Sequence, residues 1–352
     1  MRQITTFLVS LTVLTGCLEP EGGSGGTVVS GDWSIPINQV FDGGPGRDGI
    51  PAIDNPELIA AAEATFLTSS ELVIGYYDGE TAIAYPHQIL DWHEIINDQV
   101  NGLSFAVTYC PLTGTGIGWN RMVDGSETSF GVSGLLYNTN LIPFDRNTNS
   151  NWSQMLLSSV NGQLMGTEIG YVPLVETRWD TWKQMYPETL VISRNTGHRR
   201  SYGSYPYGDY RTNDNNLLFP ISNDDGRLDR KERVHGIIVN GKAKVYRFDQ
   251  FDQLTVITDR FNGRDLIVAG DKDRNFIVSF YVPQAASNTT FQFEAVDEGE
   301  VILVDNEGNR WNIFGQAVSG PRQGEQLINT VSCMGYWFAW GTFYPDPEIS
   351  EF

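Results

Sequence analysis

The chain has 352 residues, 43 acidic and 23 basic side chains, a formal net charge of -20, and 40% hydrophobic and 12% aromatic content. That composition belongs to a folded body large enough to bury a core without disulfides, not to a disordered chain. The acid excess argues against nucleic acid, whose binding needs basic side chains to release counterions, and against electrostatic docking on anionic lipid.

Residues 1–16 read MRQITTFLVSLTVLTG. Arg2 supplies one positive charge and residues 4–14 are apolar, a length that suits a signal-peptide core. A membrane span needs roughly 20 apolar residues. Leu14-Thr15-Gly16-Cys17 resembles a bacterial lipobox, which implies removal of 1–16 and lipidation of Cys17. The alternative is an ordinary signal peptide with a chance cysteine. Residues 17–32 then hold the lipidated cysteine and a glycine-rich tether (LEPEGGSGGT over 18–27) that reaches on the order of 20 Å. Leu18, not Asp, follows Cys17, so the inner-membrane retention signal of many lipoproteins is absent. By that likeness the expected place is the bacterial envelope, at the outer membrane or cell surface, on its periplasmic or extracellular face.

The remainder, 33–352, is expected to be one mainly β domain with a few short helices, possible as two packed lobes. Asp54 or Asn55 as cap and Pro56 in the first turn predict a helix over 57–66. Residues 72–77 and 81–85 around Asp78-Gly79 predict a hairpin, because both central turn residues take positive φ there. Residues 88–97 fit both periods: helical spacing groups Ile89, Trp92 and Ile96, and strand alternation groups Ile89, Asp91, His93 and Ile95. Asp124-Gly125 is expected to join strands over 116–122 and 128–133. Thr177 is a candidate cap for a helix over 178–186 that Pro187 stops. Two further hairpins are expected, 234–239 with 243–248 around Asn240-Gly241, and 301–304 with 310–314 around the turn 306–308. No fixed-period repeat is visible.

Five clusters occur in order. They are Tyr85-Pro86 with ILDWHEIIND (89–98), VTYCPLTG (107–114), FGVSGLLYN (130–138), DRNTNSNWSQ (145–154) and the terminal YWFAW (336–340). Together they resemble a bacterial family known only as domain of unknown function 3179, over about 36–345. The resemblance implies a secreted or lipid-anchored protein and brings no reaction. Many relatives carry Cys-Pro-Leu-Cys where this chain has Cys110-Pro111-Leu112-Thr113, so a dithiol redox role is in doubt here.

The candidate chemistry centres on Cys110, which ends an apolar strand beside Pro111, and on His93 upstream. A Cys–His pair serves as a nucleophile with its base, or as two ligands for a copper or zinc ion. The alternative is a buried structural cysteine and a hydrogen-bonded histidine. A copper-type metal site on Cys110 and His93 is the leading expectation. An enzyme with Cys110 as nucleophile, His93 as base and Glu94 as a further acid or base is the second. The third is a non-catalytic binding module on 145–154. There Asp145, Arg146, Ser150 and Gln154 surround Trp152, a planar cation fork beside a flat ring face. A small molecule or metal is the expected ligand, and the membrane is reached through the lipid on Cys17. A Cys110–Cys333 disulfide is possible in an oxidising compartment, and both thiols are expected free because the chain is large enough to fold without a staple. The acidic turn 223–226 with Asp229 fails the spacing of a calcium loop.

Overall fold

The computed structural model describes residues 30–282 and 292–352. The expected signal segment, Cys17 and most of the expected tether lie outside the described residues. The described chain is mainly β, with three short helices: α1 (His87–His93), α2 (Trp179–Met185) and α3 (Trp337–Phe343).

The expected hairpins are present. Leu72–Tyr77 pairs antiparallel with Ala82–Pro86. Its turn is held by the Asp78 carboxylate, which accepts the N–H groups of Glu80 and Thr81 at 3.0 and 2.8 Å. Arg233–Val239 pairs with Lys242–Arg247. Asn240 and Gly241 between them both take positive φ, 50° and 74°, as a tight hairpin turn requires. Val301–Asp305 pairs with Arg310–Asn312.

Three sequence expectations need correction. Residues 57–66 do not form a helix: Leu58–Ala60 is a strand on Leu190–Ile192, followed by turns. The open edge of that sheet supplies ladder partners, which outweigh local helix propensity. The Asp124-Gly125 turn closes only the short pair Met122–Val123 and Ser126–Glu127, and the longer strands on either side enter different sheets. Thr177 does not cap α2. The cap residue is Arg178, and the Thr177 hydroxyl donates to the Arg274 carbonyl at 2.6 Å. The ambiguous stretch 88–97 is both things in turn, helix to His93 and strand from Ile95 to Val100.

A repeat does exist, and only the structure reveals it. Two halves share one sequence of elements, about 160 residues apart. The hairpin Leu72–Tyr77/Ala82–Pro86 corresponds to Arg233–Val239/Lys242–Arg247. Val175 pairs with Gly75 as Cys333 pairs with Gly236. Helix α2 follows the first of these strands as α3 follows the second, and Tyr186 and Tyr344 end them with φ of -128° and -126°. Leu190–Ile192 then runs parallel to the first hairpin, as Glu348–Ile349 does to the second. Buried Trp152 donates its ring N–H to Asp145 at 3.2 Å, and Trp311 donates to Asp305 at 3.0 Å. Gly75 and Gly236 are required for close packing: a Cβ would stand 2.2 Å from the Trp182 ring at one and 2.1 Å from the Trp340 ring at the other.

The halves interlock. One core joins Trp119, Phe130 and Trp152 of the first half to Val234, Val245, Trp337 and Trp340 of the second. The other joins Val73, Trp179 and Trp182 of the first to Ile267, Phe276 and Trp311 of the second. Each hairpin-and-helix unit therefore covers the sheets of the opposite copy. The seam is nearly symmetric: the N–H of Tyr336 donates to the Thr113 carbonyl at 2.8 Å, and that of Arg178 donates to the Arg274 carbonyl at 3.3 Å. This places the turn after Cys110 against the second half.

Candidate active site

Cys110 is the last residue of the strand Leu103–Cys110 and is 1% exposed. The chain reverses immediately, with the Thr113 and Gly114 N–H groups donating to the Cys110 carbonyl at 3.3 and 2.9 Å. The thiol lies 3.8 Å from the Thr139 carbonyl. Burial pushes it up to about 11, with the Glu94 carboxylate adding to the rise and the Thr113 hydroxyl opposing it. Thr113 binds into a buried network, to Thr115 Oγ1 at 2.8 Å and Asn140 Nδ2 at 2.9 Å. Cys333 is also buried, and both thiols are free.

His93 ends α1 and is fully buried. Its Nδ1 lies 2.7 Å from the Pro51 carbonyl, which can only accept, so Nδ1 carries the proton. Nε2 then accepts from the Tyr202 hydroxyl at 2.6 Å. Both ring nitrogens are therefore engaged, and neither bonds to Cys110. Burial pulls His93 down to about 4, so the ring is neutral. The tautomer is set by Pro51 and Tyr202, not by Asp91 or Glu94.

Glu94 is the turning point between α1 and the next strand. Its backbone sits at φ 59°, ψ -32°, a sparsely populated region for a residue with a Cβ and one that collects at functional sites. Its carbonyl accepts the Tyr109 N–H at 2.7 Å, and its carboxylate acts electrostatically on the Cys110 thiol. Burial raises the carboxyl to about 7, with Asp91 adding to the rise and a 3.4 Å hydrogen bond from Tyr207 opposing it.

The 145–154 loop is ordered by its own bonds. The Asp145 carboxylate accepts from the Thr148 N–H and hydroxyl, the Ser150 N–H and the Trp152 ring N–H. The Ser150 hydroxyl accepts the Leu164 N–H at 3.0 Å. Gln154 clamps three strands, donating to Thr108 and the Thr115 carbonyl and accepting from Thr115 Oγ1 and Asn140 Nδ2. Asp145, Ser150, Trp152 and Gln154 are all buried, and Arg146 pairs with Asp48 at 2.8 Å on the surface. The polar group this loop lines is its own carboxylate. The acidic turn 223–226 is likewise spent on ion pairs, Asp224 with Arg230 and Asp225 with Arg227.

A segment between the two halves, unremarked in the sequence, roofs Cys110. Tyr205 and Tyr210 donate to the Pro111 and Leu112 carbonyls at 3.1 and 2.9 Å, Tyr207 reaches Glu94, and Arg211 pairs with Asp91. The signal was legible: YGSYPYGDYR over 202–211 packs four tyrosines and an arginine into a turn-rich stretch. On the other side of Tyr109, His87 and Arg233 both pair with the buried Glu176, which they hold down at about 2 against its burial. The corresponding turn of the second half has Asp271 at the place of Cys110 and Arg274 at that of Thr113, joined as an ion pair at 2.9 Å. Only one of the two seams carries a thiol, a displaced carboxyl and tyrosines. A cleft of about 1810 Å³ lies away from this region, between residues 156–169 and the turn 240–243, and no cysteine or histidine lines it.

A family model described as a protein of unknown function (DUF3179) matches residues 47–347. No curated protein and no solved structure matches the chain.

Proposed function

The chain belongs to the DUF3179 family, and from that premise we propose a lipid-anchored envelope enzyme in which Cys110 is the nucleophile and Glu94 its acid–base partner. The observation that carries this reading is that Glu94, a buried carboxyl raised to about 7, bonds through its carbonyl to the Tyr109 N–H next to the buried Cys110 and through its carboxylate to Tyr207 of the tyrosine segment. A carboxyl in that range is half ionised at neutral pH, which suits it to accept and return a proton. Glu94 takes the thiol proton as sulfur bonds to an acyl-type carbon. It then gives that proton to the departing group, and water releases the acyl-enzyme. His93, neutral and locked by Pro51 and Tyr202, is a positioning residue that fixes the end of α1.

The copper- or zinc-type reading has less support. An imidazole ligand needs a bare nitrogen, and both of His93 are taken. No cluster of three or more His, Cys, Asp or Glu suited to a metal ion occurs among the described residues. The anchor on Cys17 and the outer-membrane or surface location remain part of the proposal. They rest on the lipobox-like sequence and on Leu18 after it.

The test is the pH dependence of Cys110 alkylation by iodoacetamide in the full lipidated chain, followed by peptide mass. We expect an inflection near pH 7 that is lost in Glu94→Gln, with Cys333 alkylation as the control for general opening of the fold. Equal Cys110 rates in the two proteins, or labelling of Cys333 without Cys110, would overturn the reading.

A further inference from the structure

We propose that Tyr109, Tyr336 and Arg211, with Arg233 beside them, form a subsite at the seam of the two halves for an oxyanion, the carboxylate or phosphate group of a small-molecule ligand. As a statement about the substrate of the Cys110 site this rests on the reading above. As a statement about binding it does not.

The geometry starts from two phenols. Tyr109 immediately precedes Cys110, and its ring lies 4.7 Å from that of His87. Tyr336 comes from the second half, directly opposite Arg233 across the antiparallel ladder, so both side chains leave the same face. Its ring rests on Gly114 of the Cys110 turn, where a Cβ would stand 3.3 Å away. Tyr109 is 2% exposed and Tyr336 8%, yet neither hydroxyl has a hydrogen-bond partner among the described residues. Neither hydroxyl is among the sealed, unpartnered polar atoms, so both reach accessible space. A largely buried phenol with an unspent hydroxyl is costly unless a ligand or water completes it.

The cations are fixed around them. Arg211 lies 3.8 Å over the Tyr205 ring and pairs with Asp91 through one terminal nitrogen. Its Nε and other terminal nitrogen have no acceptor among the described residues, and its side chain is 35% exposed. Arg233 is held by Glu176 and by Asn275 at 2.6 Å. Both arginines act electrostatically on Tyr336 and Arg211 acts on Tyr109, alongside the carboxylates of Asp91 and Glu176 that these arginines pair with. The unspent groups are thus donors, two phenols and two guanidinium nitrogens, the set that an oxygen-rich anion satisfies. The second seam provides an internal contrast. Arg178 stands there in place of Tyr336 and pairs with Asp180 at 2.6 Å, and Arg274 pairs with Asp271 and Asp297. That copy has spent its donors on its own carboxylates.

The experiment titrates the full chain with inorganic phosphate and, separately, with acetate, read by ligand-detected NMR. Saturable binding of one anion over the other identifies the group. Tyr109→Phe and Tyr336→Phe keep the rings and lose no protein hydrogen bond, so each should keep the wild-type thermal midpoint. Each should weaken binding by about tenfold, the usual effect of losing one hydrogen bond to a charged group. Saturable binding of neither anion, or wild-type affinity in both Phe variants, overturns the proposal. Intact anion binding with no pH inflection at Cys110 would instead sink the catalytic reading alone.

Discussion

Replacing Glu94 by Gln should make the protein more stable at pH 8 and nearly unchanged at pH 5. Burial is the largest cause that moves this carboxyl from 4.5 to about 7, so the folded state holds the proton more tightly than the unfolded chain does. For a carboxyl raised in this way, ionisation opposes folding. The opposition is full above pH 7, shrinks as pH falls through 7, and is gone below 4.5. The displacement corresponds to about 3 kcal/mol at pH 8 and to less than about 1 kcal/mol at pH 5. Glutamine keeps an oxygen that accepts from Tyr207 and carries no charge, so the variant should recover most of that difference. Wild-type stability alone is a poor readout. His93 and His235, pulled down to about 4 and 3, contribute stability that is full above pH 6.5 and is lost as pH falls towards those values. They oppose the Glu94 trend over the same interval. The useful quantity is the difference between variant and wild type in urea unfolding at each pH. A variant no more stable than wild type at pH 8, or a gap independent of pH, would refute the assignment of a raised carboxyl at Glu94.

Cys17→Ser should release the protein from membranes, checked by fractionation after a salt wash; retention of the variant would defeat the anchor. Unreduced protein unfolded in the presence of iodoacetamide should gain label on both Cys110 and Cys333, and a mass with neither modified would mean a disulfide. Gly75→Ala and Gly236→Ala should each destabilise by at least about 2 kcal/mol in denaturant unfolding, because the new methyl meets an indole with no room to move. A tolerated Ala at either site would contradict the matched packing of the halves. Asp145→Ala and Asp305→Ala should each cost at least about 2 kcal/mol, since both strand a buried tryptophan N–H and several backbone donors.

Local chemistry made part of this molecule legible. Asp78-Gly79 and Asn240-Gly241 announce their hairpins, the second because both residues take positive φ and the first because Gly79 does and the Asp78 carboxylate caps the turn's N–H groups. Pro187 closed α2 as expected, since its ring excludes a following helical turn. Cys110 and Glu94 stand out by residue type alone, and the Glu94 carboxylate acts electrostatically on the thiol. His93 did not pair with the thiol, because its two nitrogens found partners from Pro51 and from Tyr202, more than 100 residues away. The polar loop 145–154 looked like a ligand surface, because a sequence does not show that one carboxylate will collect the loop's donors. The duplication was invisible for a related reason. Its halves share a few glycines, aspartates and aromatics at places where packing demands them, and little else.

Composition and turn residues determine by themselves that this is a mainly β, acidic chain. Those properties depend on neighbours in sequence. Tertiary structure alone decided that each half is completed by the other, and hence that Tyr336 and Arg233 stand beside the Cys110 turn. Such contacts depend on strand pairing across the whole chain, which no local pattern encodes. The displaced titration of Glu94 has the same origin, because burial is set by everything that packs around the group.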